Sequence, residues 1–278
     1  MPELPELQAH AERLDSAFSG AVLEQFRALN FTALKTASPD PSDALGAAVV
    51  FIGRRGKYLV IDLGHVSFVI HLMQAGRLVV DESRSARPRG GLARWVFDED
   101  RALLLTEAGK ERRAGIWVVD GDFEQQEPLT GLGPDADLVS LSDLADLAGA
   151  QSRRLHGFLR DQQVMAGLGR RLANEICHRA RLSPFINTTK LDRVQLEQLH
   201  EAIRACINES LAEERGRDHM APSKQRRSAV HRRAGETCPV CGDVIRAVSY
   251  KTHEVNYCPA CQTGGRVLAD NTTSRFLR

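Results

Sequence analysis

The chain has 278 residues, enough for two domains with cores of their own, and its 42% hydrophobic and 26% charged content is that of an ordinary globular protein. No run of about 18 apolar residues occurs, which excludes a membrane-spanning helix. No basic segment followed by an apolar stretch opens the chain, so no secretory leader is expected and the cytoplasm is the expected compartment.

The chain starts Met1-Pro2-Glu3-Leu4-Pro5-Glu6. Removal of Met1 ahead of a small residue would make the secondary amine of Pro2 the N-terminus, with a pKa near ~8 that leaves part of it neutral and nucleophilic. Such an amine attacking an aldehyde-level carbon gives a permanently cationic iminium, an electron sink for elimination, and Glu3 beside it could serve as general acid or base. The same residues also read as a plain helix start, with Pro5 in the first turn and Glu6 favoured by the helix dipole. Leu7, Ala11, Leu14 and Phe18 continue at helical spacing across residues 5–19.

From about residue 21 to 125 the pattern changes to short runs rich in Val, Ile, Leu and Phe. These are Ala21–Phe26, Ala47–Ile52, Lys57–Leu63, Ser67–Leu72, Arg77–Val80, Ala93–Phe97, Arg101–Thr106 and Gly115–Val119. Punctuated by Gly, Asp and Pro, they predict an all-β sandwich or barrel, with the polar stretch Asp81–Gly91 as a loop. Residues 124–139, rich in Pro, Gly and Asp, predict a linker between a first domain (1–123) and a helical one (140–235). Helical patterns cover Ser140–Ala148, Arg153–Arg160, Gly169–Ala180 and Leu191–Glu213, the last with Thr188-Thr189 as its cap. Arg215–Glu236 lacks periodicity, carries Lys224, Arg226, Arg227, Arg232 and Arg233, and reads as a mobile basic loop.

The net charge of +1 hides a division: residues 1–150 hold 15 Lys and Arg against 23 Asp and Glu, and residues 151–278 hold 22 against 13. A basic second half suits a polyanion such as a phosphate backbone, or simply complements an acidic first half. Two of the six cysteines, Cys177 and Cys206, sit singly in helical patterns as small buried hydrophobes. The other four form two C-x2-C knuckles, Cys238–Cys241 and Cys258–Cys261, separated by 16 residues within a last domain over 236–278. Four thiolates so spaced can close tetrahedrally on one metal ion, with zinc the better choice and iron the alternative; disulfides fit a cytosolic chain poorly. A closed four-sulfur site leaves no open position, so the metal would be structural. Val244–Tyr250 and Glu254–Tyr257 would be the strands of a hairpin between the knuckles.

Taken together, Pro2-Glu3-Leu4-Pro5-Glu6, Arg54-Arg55-Gly56-Lys57-Tyr58, the run from Asp161 to Gly169, Ala173-Asn174-Glu175 and the paired knuckles occur in the order found in one family. Over essentially its whole length the chain resembles the formamidopyrimidine-DNA glycosylase / endonuclease VIII family. The resemblance implies an α+β multidomain fold: an N-terminal β-sandwich, a helical domain with a helix–two-turn–helix, and a C-terminal zinc-finger β-hairpin. It implies a monomeric base-excision enzyme of the bacterial cytoplasm and nucleoid, with no membrane attachment. Its partner would be damaged double-stranded DNA, from which it flips a nucleotide, removes the base and nicks the strand.

Carried over by position, Pro2 would attack C1′, Glu3 would protonate the deoxyribose ring oxygen, and Lys57 would hold a phosphate beside the lesion. Glu6, His71 and Glu175 match further residues near the DNA. The family's void-filling trio falls on Gln74 (or Met73 beside it), Arg112 and Ala114, the last without the usual ring. Arg170 stands where the helical motif has asparagine, and His253 where the finger has a phosphate-binding arginine, a role Lys251 or Arg246 could share. The chemical residues are therefore kept while those that sense the lesion and clamp phosphate are changed, which shifts the expected lesions toward abasic sites or oxidised pyrimidines. A lyase with weak base removal, or a non-catalytic binder of damaged DNA, are the alternatives.

Overall fold

The computed structural model of the chain describes residues 1–109, 112–222, 225–251 and 253–268. Contacts divide it into two units, Met1–Gly131 with Glu214–Ser223, and Leu132–Glu213 with Lys224–Arg278.

In the first unit the 3–4 spacing of Leu4, Leu7, Ala11, Leu14 and Phe18 produces α1 (Leu4–Phe18), whose apolar side is buried. Eight strands follow: β1 (Leu23–Ala28), β2 (Phe51–Arg55), β3 (Tyr58–Asp62), β4 (Val66–His71), β5 (Gly76–Val80), β6 (Gly91–Phe97), β7 (Ala102–Glu107) and β8 (Gly115–Asp120). They pair antiparallel in two separate four-stranded sheets, β1-β6-β7-β5 and β2-β3-β4-β8, a sandwich rather than a closed barrel. Alternate residues point inward and meet in one core, where Trp95 of one sheet lies edge-on to Phe68 of the other with ring centroids 5.6 Å apart. Such an aromatic pair adds about 0.5–1.5 kcal/mol beyond its burial. The Asp15 carboxylate accepts the Ile52 amide hydrogen at 2.7 Å and fastens α1 to β2.

Most strands differ from their expected bounds by one or two residues, and β2 differs most. The apolar run Ala47–Ile52 predicts a strand, but the ladder occupies Phe51–Arg55, because pairing with Tyr58–Asp62 across Gly56-Lys57 fixes the register. Gly56 turns this corner at φ 57°, a left-handed conformation that glycine takes without steric cost. The segment Glu214–Ser223 joins this unit: Arg215 pairs with Glu12 at 2.6 Å, and Met220 enters the sandwich core.

The second unit holds α2 (Leu141–Ala150), α3 (Leu155–Arg160), α4 (Arg170–Arg179) and most of α5 (Arg193–Arg215). It also holds the hairpin β9 (Arg246–Ser249) and β10 (Glu254–Tyr257), followed by the short α6 (Pro259–Gln262). The cap of α5 is not Thr188-Thr189, which lie in a 3-10 turn; Asp192 accepts from Gln195 N at 2.8 Å while Gln195 accepts from Asp192 N at 3.2 Å. The stretch expected as a mobile basic loop is irregular, yet Val230 within it is fully buried and residues 229–231 are tied down by hydrogen bonds; Lys224 lies outside the described residues.

Candidate active site and metal centre

In the first unit, Pro2 and Glu3 are buried at the N-terminal end of α1, and Met1 ahead of them is exposed. Glu3 is the N-cap, and its amide hydrogen is accepted by Glu6 Oε2 at 2.7 Å. Glu6 is 1% exposed, so what it offers the site is the orientation of Glu3. Lys57, 8% exposed, stands in the β2–β3 turn next to Tyr58, which pairs with His71 across the ladder. Tyr58 and His71 meet ring edge to face with centroids 4.7 Å apart.

His71 reports on its neighbours. Burial, then the Lys57 ammonium, then the N-terminal amine push its pKa down to about 4. It is therefore neutral at pH 7, and because its Nδ1 accepts the Met73 amide hydrogen at 3.1 Å, the ring proton sits on Nε2. The result is a neutral donor beside a lysine and the chain terminus.

Beyond His71 the chain makes a tight turn closed by Gly76 N–H to Leu72 O at 2.8 Å. A side chain at Gly76 would bring its Cβ within 2.3 Å of that oxygen. Met73 sits in the left-handed region at φ 51°, a conformation that costs a non-glycine residue about 1 kcal/mol or more, and Gln74 at the tip is exposed. The turn thus holds a strained residue in place to present Gln74, whereas Met73 is half-buried. Arg112 is exposed. Ala114 is 1% exposed and part of the sandwich core, and its amide hydrogen and that of Arg113 are both accepted by Glu107 Oε2 at 2.7 Å. A ring at position 114 would have to fit into packed core, so nothing aromatic is presented there.

In the second unit, Asn174 and Glu175 form a polar hub on α4. The Glu175 carboxylate accepts backbone hydrogens from Ala229, Val230 and His231 at 2.6–3.1 Å. The fully buried Asn174 meets His231 Nδ1 at 2.9 Å and accepts the Asn256 amide hydrogen at 3.3 Å. This explains the motif locally: α4 is fastened to the basic segment and to β10 by groups that satisfy otherwise orphaned backbone donors.

Arg170 is exposed at the first turn of α4. His253 lies at the end of the β9–β10 turn, stacked on Tyr250 with centroids 4.8 Å apart and parallel to His156 at 6.4 Å. Burial, then Arg160 and Arg170, hold His253 below the usual imidazole pKa. Tyr250 and His156 carried no sequence signal for this role; His156 reaches the stack from α3, about a hundred residues away in sequence.

The knuckle thiols converge as well. Cys238 Sγ lies 3.9 Å from Cys261 Sγ, and Cys241 Sγ lies 3.3 Å from Cys258 Sγ. A tetrahedron of sulfurs around zinc at ~2.3 Å has edges of about 3.8 Å, so four thiols this close suit one such ion. Their acidities separate: the Asp243 amide and the adjoining thiols lower Cys241, while burial raises Cys258 to about 11. Four thiolates repel one another without a cation between them, which fits a divalent soft-metal site. His178, not marked by the knuckle spacing, brings Nε2 to 3.3 Å from Cys238 Sγ and clusters with Cys238, Cys258 and Cys261.

Residues 1–117 match the formamidopyrimidine-DNA glycosylase N-terminal domain, and residues 131–220 match the H2TH domain of the same enzymes. A formamidopyrimidine-DNA glycosylase of Chloroflexus aurantiacus is 30% identical over 94% of this chain and 98% of its own length. An uncharacterized formamidopyrimidine-DNA glycosylase-like protein of Mycobacterium tuberculosis is 42% identical over 149 residues, 53% of this chain and 94% of that protein. Among solved structures, the MutM (Fpg) protein of Thermus thermophilus superposes with a TM-score of 0.80 at 27% identity, covering 94% of this chain and 98% of that one. Lactococcus lactis Fpg bound to DNA containing an abasic site superposes with a TM-score of 0.82 at 20% identity, covering 94% and 99%. This chain belongs to the formamidopyrimidine-DNA glycosylase family.

Proposed function

We propose that this chain is a base-excision DNA glycosylase and abasic-site lyase acting on damaged double-stranded DNA. What supports the proposal is that the Lys57 ammonium and the N-terminal amine both act on a neutral His71, while Pro2 and Glu3 open α1 directly after that amine. Loss of Met1 would free the Pro2 nitrogen to attack C1′ of a flipped nucleotide while Glu3 protonates the ring oxygen and the base departs. The resulting iminium acidifies the C2′ hydrogens; loss of one expels the 3′ phosphate, and a further elimination can expel the 5′ phosphate. Water then hydrolyses the iminium and returns the Pro2 amine. Lys57 and the Nε2–H of His71 would hold phosphate oxygens in place during these steps.

Gln74 and Arg112 would enter the space vacated by the base, and Arg170 and His253 would bind phosphate. Glu175 carries a charge that repels phosphate and is already engaged by amides, so its part in DNA binding would be to hold the 229–231 segment. A second reading, a lyase with weak base removal, draws support from the buried Ala114, since a missing ring forfeits about 1–3 kcal/mol of stacking.

The metal would be one structural Zn²⁺ held by Cys238, Cys241, Cys258 and Cys261, supplying cross-linking of the finger and no chemistry of its own. Elemental analysis of the folded protein should find one zinc per chain; finding none refutes this assignment. No helix among the described residues is long and apolar enough to cross a membrane.

The decisive experiment incubates the mature protein with abasic-site duplex and borohydride. Reduction of the iminium should leave a covalent protein–DNA adduct, and a one-residue N-terminal extension should abolish it. Glu3→Gln should slow base removal by about 10²–10⁴-fold. Absence of any adduct between pH 6 and 8, about the range over which an α-amine begins to lose its proton, would sink the lyase assignment. A panel of duplexes with single lesions then separates full glycosylase action from the lyase-only reading.

A further inference from the structure

Five donors converge where a tetrahedral ion needs four. The thiols of Cys238, Cys258 and Cys261 and the imidazole of His178 lie within 4.8 Å of one another, and Cys241 closes on Cys258 at 3.3 Å. We infer that His178 is not a ligand but a positioning residue: its Nε2–H donates to the Cys238 thiolate and joins the metal knuckle to α4. This rests on the zinc assignment above.

Three observations carry the inference. The Nε2···Sγ separation of 3.3 Å is hydrogen-bond distance for sulfur, and His178 is 5% exposed, where a ring nitrogen needs a partner. A three-cysteine, one-histidine site would leave the exposed Cys241 as a bystander thiol pressed against a ligand, whereas a four-cysteine site uses all the sulfurs at hand. Four thiolates around a divalent ion also carry two excess negative charges, which a donor aimed at one sulfur offsets.

The position of His178 on its helix gives the bond a consequence. Asn174, Glu175 and His178 are spaced i, i+1 and i+4, so Asn174 and His178 lie one turn apart with Glu175 beside them. That side of α4 holds β10 through Asn256, the basic segment through residues 229–231, and the first knuckle through Cys238. The first knuckle and the basic segment are thereby fixed to one helix by neighbouring side chains.

The test uses the full chain, loaded with cobalt(II) in one arm and zinc in the other. The parent and His178→Ala should both give the ligand-field and charge-transfer bands of a four-thiolate site, and Cys241→Ala should not. Zinc transfer to a chromophoric chelator should be about 10–100-fold faster from His178→Ala than from the parent, as loss of an outer-shell partner typically costs a metal site. His178→Gln, which keeps an N–H donor, should recover part of that difference and serves alone if the alanine variant does not fold. A parent cobalt spectrum of the three-sulfur, one-nitrogen type, changed by removing His178, overturns the inference by making His178 a ligand. Equal release rates from the parent and both variants overturn it too. Absence of zinc from the parent fails the underlying assignment instead and is read separately by elemental analysis.

Discussion

His253, proposed above to bind phosphate, differs from an arginine in one respect that matters, its charge at neutral pH. Burial, then Arg160 on α3 and Arg170 on α4, hold it below the usual imidazole value of about 6.5, so in the free protein at pH 7 it is neutral. The parallel ring of His156 does not compensate: burial, then Arg160 and His253 itself, drive it down to about 3. A bound phosphate favours the imidazolium, so binding takes up a proton. Affinity should therefore rise as pH falls from the bound-state pKa toward the free-state pKa, and level off below it. His253→Arg should bind more tightly at pH 7 and lose this dependence. Fluorescence anisotropy with an abasic-site duplex from pH 5.5 to 8 measures both, and a parental profile in the arginine variant would count against the role. At this scale the sequence was legible where spacing brings like residues together, as at the knuckles, whose thiols converge. It was silent where a role arises from packing: the core position of Ala114 and the reach of His178 to Cys238 join residues far apart in the chain.

Strand β6 carries an arginine in its interior, and what allows it there is a partner. Arg94 Nε lies 2.7 Å from Asp81 Oδ2, with the two side chains 4% and 3% exposed, and Arg94 also donates to Ser85 O at 2.6 Å. Asp81 in turn accepts from Ser83 Oγ and the Arg84 amide, both at 3.1 Å. Removing either charge strands the other in the interior. Arg94→Ala or Asp81→Ala should each cost about 3–5 kcal/mol, while the pair Arg94→Met with Asp81→Leu should cost less than either single change. Urea titration of the four proteins checks it, and additive losses would rule out the coupling. The polarity of Asp81–Gly91 predicted this loop without revealing that its first residue is an interior anchor. The strands themselves were legible because their largely buried residues form short runs rich in Val, Ile, Leu and Phe between turn residues. Their bounds were not, since register depends on the partner strand: β2 takes in Arg54 and Arg55 because Leu59 and Tyr58 lie opposite them. The start of α5 was missed for a related reason, as several polar residues could cap it and geometry chose Asp192.

For the molecule as a whole, a single unfolding midpoint is poorly defined in a chain of two units, but the placement of its tryptophans allows one unit to be followed alone. Trp95 and Trp117 are the only two in the sequence, and both belong to the sandwich unit. The same unit buries two neutral histidines. His10 bonds through Nε2 to Leu78 O at 2.7 Å and has a buried Nδ1 without an acceptor, so a second proton there would be an uncompensated charge near Arg13 and Arg77. Burial takes His10 down to about 4, and burial with Lys57 and the terminal amine takes His71 there too. A depressed histidine pKa means that the unfolded chain binds the proton first. The stability it contributes is complete above the unfolded value of about 6.5 and is lost as pH falls toward 4, about 3 kcal/mol for each histidine over the whole interval. Tryptophan fluorescence should therefore show the urea midpoint of the sandwich unit falling steeply between pH 6.5 and 4.5, above the range where most carboxylates titrate. His10→Gln, which cannot gain the charge, should show about half of the parent's fall over that interval, whatever its own stability at pH 7. A parent midpoint that stays level from pH 7 to 5, or an equal slope in His10→Gln, would show that these rings are not what acid attacks first.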